Sequence, residues 1–128
     1  MSLDYAAAGR ILDAYADALE AFDGDAFTAL FAEDVEFRTG AFSAPLVGSN
    51  AVRAYLLQAS RDREQLEITI ERHWIVAPTI LAAFHSSYVR TLDRARIHAA
   101  GFLTAEVEGD GRIARFREWT EAREAPAE

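Results

Sequence analysis

Leu66-Glu67-Ile68-Thr69-Ile70-Glu71-Arg72-His73-Trp74-Ile75-Val76 opens the stretch that decides the fold, because from Leu66 onward the sequence takes on a period of two. Three more β-rich runs follow, Thr79 to Thr91, Ala95 to Glu108 and Arg112 to Thr120. They are separated by Ala77-Pro78, Leu92-Asp93-Arg94 and Gly109-Asp110-Gly111, each suited to a hairpin connection. Four long strands joined by tight turns predict an antiparallel meander with one face to bury.

Upstream of that stretch the period is helical. Leu3, Ala7, Ile11, Leu12, Tyr15, Ala18, Leu19 and Phe22 recur at three- and four-residue spacing, which predicts an amphipathic helix ended by Asp23-Gly24. Asp25 is placed to cap a short second helix, Ala26 to Phe31. Val35 to Thr39 alternates as a short strand, and Gly40, Pro45 and Gly48 punctuate the loop after it. A third helix is predicted from a cap at Ser49 or Asn50 through Ser60, burying Val52, Tyr55, Leu56 and Ala59. Helices first and a meander afterwards is an α+β arrangement, with three N-terminal helices packed on one face of a curved antiparallel sheet.

The chain has 128 residues, 51% of them hydrophobic, enough for one core and too few for two ordinary domains. A single domain over residues 1–128 is expected, with the polar stretch Glu121 to Glu128 as a fraying tail. A formal charge of −8 argues against nucleic-acid binding, which needs a concentrated basic stripe. The absence of cysteine excludes disulfides, thiolate chemistry and Cys-based metal sites. No basic segment leads into an apolar run at Met1 to Tyr5, and no apolar run approaches the length of a bilayer span, so no membrane partner and a cytoplasmic location are expected. No Gly-rich phosphate loop, nucleotide fingerprint or zinc motif is present, and no cofactor is implied.

Three local patterns carry a resemblance. Tyr15 to Asp25, leading into Leu30-Phe31-Ala32-Glu33-Asp34-Val35-Glu36-Phe37, forms the first; Leu46-Val47-Gly48-Ser49-Asn50-Ala51-Val52-Arg53-Ala54-Tyr55-Leu56 forms the second; Gly109-Asp110-Gly111-Arg112-Ile113-Ala114-Arg115-Phe116-Arg117-Glu118-Trp119 forms the third. In this order, and together covering nearly the whole chain, they resemble the opening helix, the Gly-led third helix and the closing strand of SnoaL-like proteins in the NTF2-like superfamily. The resemblance implies a cone-shaped fold around one pocket. It does not fix an activity, since the superfamily includes ketosteroid isomerases, polyketide cyclases, epoxide hydrolases, dehydratases and binding proteins without chemistry.

Set against the ketosteroid isomerase pattern, Tyr15 takes the place of the oxyanion tyrosine, while the base position falls on Thr39 and the second acid on Leu103. Neither side chain can do the acid's work. Leu103 also falls near the acidic position of the cyclases, and Arg96-Ile97-His98 offers no Asp to complete the Asp-Arg-Asp set of the epoxide hydrolases.

Counting through the hairpins puts Phe84, Ser86 and Tyr88 on one face with Ile97, Ala99, Gly101, Leu103 and Ala105, and with Ala114, Phe116, Glu118 and Thr120; the same parity adds Glu71 and His73. A one-residue slip would invert the assignment. The proton-transfer candidates on this face are His73 and Glu118, with Tyr15 entering from the first helix; Thr39, Phe84, Ser86, Tyr88, Leu103, Phe116 and Thr120 are the candidate substrate-binding residues. Each also has a plain structural reading: His73 as a hydrogen-bonded strand histidine, Tyr15 as core packing, Glu118 as the partner of Arg38, Arg115 or Arg117. His85 and His98 fall on the opposite face with Arg96, Arg115, Arg117 and Trp119, lack carboxylates at metal spacing, and suit a homodimer interface through the sheet. Two functions stay open: cofactor-free acid/base catalysis on a small, largely apolar or aromatic molecule, and binding of such a molecule without chemistry.

Overall fold

The change of period at Leu66 is the change from helices to long strands. A computed structural model describes residues 3–125. The elements run α1 (Tyr5–Ala21), α2 (Gly24–Ala29), β1 (Phe31–Thr39), β2 (Leu46–Val47), α3 (Ser49–Asp62), β3 (Arg63–Val76), β4 (Thr79–Arg90), β5 (Arg96–Val107) and β6 (Ile113–Glu124). The sheet order is β2-β1-β6-β5-β4-β3. The fold is α+β and NTF2-like, with helices against a curved six-stranded sheet. No helix among the described residues is long and apolar enough to cross a membrane.

The meander β3 to β6 is antiparallel as expected, but the sheet as a whole is mixed, because β1 joins the free edge of β6 in parallel. Alternation reveals a strand and not the direction of its partner, and β1 reaches β6 by way of the entire remaining chain instead of a hairpin. A second correction concerns the tail. Glu121–Glu124 continue β6, pairing from Ala100↔Glu121 to Ile97↔Glu124, and Arg90 bonds Glu124 at 2.6 Å. The lower half of β5 needs that ladder partner, whatever the polarity of the residues supplying it. Residues 126–128 of the expected tail lie outside the described ones.

Helix boundaries shift by local chemistry. Asp4 caps α1, accepting from the Ala7 amide at 2.8 Å. Phe22, not a glycine, takes the left-handed position that ends it, at φ 50°. That frees Asp23 to cap α2 through the Ala26 amide, the role expected of Asp25. Gly48, at φ 92°, is the N-cap of α3 in place of Ser49 or Asn50 and makes no side-chain cap.

The core lies between the helices and the inner face of the sheet. Phe37 and Phe116, paired across the parallel β1–β6 seam, stack at 4.8 Å with 9° between their planes. Onto them close Tyr15 from α1 (5.3 Å to Phe116), Tyr55 from α3 (5.1 Å to Phe37) and Phe27 from α2 (6.3 Å to Phe37). Leu103 and Phe116, expected in a binding surface, belong to this core at 0% and 3% exposure.

Gly101 fixes the next row. A Cβ there would lie 2.4 Å from the Trp119 carbonyl oxygen and 2.8 Å from Phe84 Cζ, so the Phe84 ring occupies the space that a side chain would take. Gly101→Ala is expected to destabilise the protein by about 1–3 kcal/mol, because backbone on one side and a packed ring on the other leave little room to relax. An unchanged midpoint in urea unfolding would contradict this packing.

Candidate active site

Strand pairing places the inward-facing residues in transverse rows, and one row holds the candidate acid Glu118. Thr39 of β1 pairs with Glu118 of β6, Glu118 with Leu103 of β5, Leu103 with Ala82 of β4, and Ala82 with His73 of β3. Thr39 and Leu103, the positions that the resemblance reads as carboxyls in ketosteroid isomerases, thus flank Glu118 on both sides. The candidate acid stands on the strand between them.

Glu118 opens into a cavity of about 300 Å³. Of the candidates read from the sequence, Tyr15, Thr39, Phe84, Ser86, Tyr88, Glu118 and Thr120 line it. The structure does not bring His73 to them. Three strand spacings of about 4.8 Å separate His73 from Glu118, roughly 14 Å along the row. His73 instead stacks on Tyr5 at 3.9 Å, and its Nε2 lies 3.2 Å from the Tyr5 carbonyl, tying the start of α1 to β3. Glu71, expected beside it, is on the other face, where it meets His85 Nδ1 at 2.6 Å. The reason is a bulge: Ile70 pairs with Phe84 and Arg72 with Ala83, so Glu71 is the extra residue and breaks the parity. Ala114 is extra in the same way between Ile113 and Arg115, which turns Ile113 into the core in its place.

Tyr55 and Arg63 also line the cavity, with Leu19, Leu66, Ile68, Ala99 and Ala122. Tyr55 is legible as a residue on the inner side of α3. Arg63 is not, because 63 and 66 cannot share a face of a regular strand. A bulge between Glu64 and Glu67, with Gln65 at φ 54°, keeps both Arg63 and Leu66 turned inward.

The electrostatics follow from enclosure. Among the described residues no side chain donates a hydrogen bond to the Glu118 carboxyl, and burial pushes its pKa up to about 7, against a smaller lowering by Arg63. Burial likewise raises Tyr15 well above the usual phenol range and Tyr55 to about 12, with Glu118 adding to both. Both tyrosines therefore remain neutral hydroxyl donors at physiological pH. Arg63 stands beside Tyr55 and lies 4.8 Å from the centre of the Tyr88 ring. Chemically the cavity offers a carboxyl able to gain or lose a proton near neutrality, the phenols of Tyr15, Tyr55 and Tyr88, and one fixed positive charge. No group of three or more His, Cys, Asp or Glu among the described residues could hold a metal ion.

A helix-covered curved sheet enclosing a mainly apolar cavity with a few converging polar groups defines the NTF2-like class of small domains. The chain belongs to the SnoaL-like domain family, whose model matches residues 12–116. Its fold is shared with an LEH-like epoxide hydrolase from M. tuberculosis (TM-score 0.77, 20% identity, covering 91% of this chain and 84% of that one). It is shared also with the epoxide hydrolase/cyclase-like enzyme SalBIII of pyran ring formation in the polyether salinomycin (TM-score 0.81, 17% identity, 92% and 93% covered). A computationally designed 17-OHP binder has it too (TM-score 0.77, 18% identity, 91% and 97% covered). At these identities the likeness establishes the fold alone. No curated protein matches the chain significantly in sequence.

The half-buried carboxyl of Glu118 makes stability depend on pH with a definite sign. Between its ordinary value of 4.5 and about 7 the native state keeps a proton that the unfolded chain releases, so this group's contribution falls as pH rises through that window. Glu118→Gln is expected to gain on the parent protein by up to a few kcal/mol between about pH 5 and pH 8, the gain limited by solvent in the cavity. Urea unfolding of both proteins at the two pH values checks it, and parallel stability curves would contradict the desolvation of Glu118.

Proposed function

We propose that this protein is a cofactor-free acid/base enzyme acting on a small, largely apolar molecule, with Glu118 moving the proton and Tyr15 and Tyr55 polarising an oxygen of the substrate. The observation that carries this reading is the Glu118 carboxyl facing the cavity without a donor, beside two neutral phenols. Such a set suits proton abstraction next to a carbonyl. The C–H proton passes to the carboxylate, the negative charge develops on the carbonyl oxygen, and the tyrosine hydroxyls donate to it. Returning the proton to another carbon gives isomerisation; returning it to a leaving hydroxyl gives dehydration; attack of the enolate on a second carbonyl gives cyclisation. Opening an epoxide with a base-activated water and a separate acid fits less well, since the flanking positions are Thr39 and Leu103. Thr39, Phe84, Ser86, Tyr88 and Thr120 are the substrate contacts of this reading. His73 is left with a tether between α1 and β3.

A second reading, a binding protein without chemistry, draws on the same uncharged Thr39 and Leu103, and the designed 17-OHP binder carries such a fold. The outer sheet face, with Trp74 41% exposed, Phe102 at 6.1 Å from it, and Arg117 over Trp119 at 4.6 Å, suits a homodimer through the sheet.

Solvent-deuterium incorporation into a panel of small cyclic ketones and enones, followed by NMR, separates the two functions. The enzyme reading expects uptake whose kcat/KM rises with pH through about 7 and then levels, as a base with that pKa requires. Glu118→Gln should lower it by at least about 100-fold and Tyr15→Phe by about tenfold or more. Equal rates in the parent protein and Glu118→Gln would leave binding as the function. Sedimentation at micromolar concentration is expected to give a dimer, and a monomer would remove the sheet interface.

A further inference from the structure

We propose that Arg63 is the recognition site for a single negative charge on the ligand, so that the substrate class is an apolar or aromatic molecule bearing one carboxylate. The proposal rests on the cavity being the functional site, and it adds what that site selects.

The chain has no lysine, and apart from its three histidines the basic residues are arginines, which stay charged and cannot escape burial by losing a proton. Several of them meet a carboxylate: Arg53 meets Asp25, Arg90 meets Asp93 and Glu124, Arg94 meets Glu64, Arg112 meets Asp110, and Arg115 lies near Glu36 and Glu106. Arg63 is different. It lines the cavity, and its partners among the described residues are the Tyr55 side chain and the face of the Tyr88 ring, neither of which neutralises it. Glu118, the other charged residue of the lining, is near enough to sense Arg63 but makes no hydrogen bond with it. The backbone is shaped to hold this arrangement, since the bulge with Gln65 at φ 54° is what turns Arg63 inward beside Leu66.

A planar guanidinium with free N–H groups at one side of an apolar cavity matches a carboxylate in geometry and charge. One arginine matches one charge. A phosphate dianion would bring a second negative charge toward Glu118 with no further cation to meet it, which favours the monoanion. The volume of about 300 Å³ is at the small end of ligand cavities, enough for roughly one or two rings. Such a ligand would place its anion on Arg63 and its apolar body against Phe84 and Ile68, with Glu118 in the same cavity wall.

Calorimetric titration of the full chain with naphthalene-2-carboxylate and with naphthalene-2-carboxamide tests this. At pH 6 the carboxylate is expected to bind about tenfold or more tighter than the amide, Arg63→Gln to erase that preference, and Arg63→Lys to keep part of it. The groups facing Glu118 are Tyr15 of α1, Tyr55 of α3, Arg63 of β3 and Tyr88 of β4, so ionisation of Glu118 is the change of charge near neutrality. The carboxylate's affinity should therefore fall from pH 6 to pH 8 in the parent protein and stay level in Glu118→Gln. Equal binding of the two probes, no binding of either up to millimolar concentration, or a carboxylate preference that survives in a folded Arg63→Gln would overturn the assignment. These readouts measure binding and not turnover. The preference can thus hold where the acid/base reading fails, and can fail where Glu118-dependent exchange holds.

Discussion

The stacked pair Phe37–Phe116 is the contact on which the rest of the molecule depends. It lies across the seam where β1 joins β6 in parallel, among the described residues the one sheet junction not made by a hairpin. Nothing local in the sequence holds those strands together. Their closure comes from burying both rings, and from the rings that Tyr15, Phe27 and Tyr55 bring down from three helices. Each aromatic pair contributes about 0.5–1.5 kcal/mol beyond the area that it buries. The same cluster makes the site, because on each strand the residue two positions on from the stacked ring is a site position. Thr39 follows Phe37, Glu118 follows Phe116, and the two phenols above them are fixed by the rings below.

Most of this was legible in the sequence, and what was not has a common physical cause. Period and turn chemistry gave the helices, the meander and the inward set Phe84, Ser86, Tyr88, Glu118 and Thr120, because the β4–β5 pairing carries no irregularity and the β5–β6 pairing has its only shift at Glu106/Val107. Parity failed wherever a strand carries an extra residue: at Gln65-Leu66, at Glu71 and at Ala114. A bulge is decided by what the neighbouring strands and helices need to cover, and leaves no reliable mark on alternation. Hence alternation gives Arg63 no place in the pocket and puts Glu71 on the wrong face. For His73 it gives the correct face, but parity does not say how far across the sheet a residue sits, and three strand spacings separate His73 from Glu118. The parallel seam is illegible for a related reason: it joins segments separated by most of the chain.

The position of the acid has consequences for how it titrates. Where two carboxyls share a site, each raises the other and the pair releases protons in two coupled steps. Here the flanking positions are a hydroxyl and an alkyl group, so among the described residues no second carboxylate perturbs Glu118, and its elevation comes from lost hydration, opposed by Arg63. Elevation of that origin responds to whatever enters the cavity. An apolar ligand body that displaces water raises the proton affinity of Glu118 further, and an anion resting on Arg63 does so again by cancelling the nearby positive charge. The charge state of Glu118 is therefore set by carboxyl, arginine and cavity occupant together.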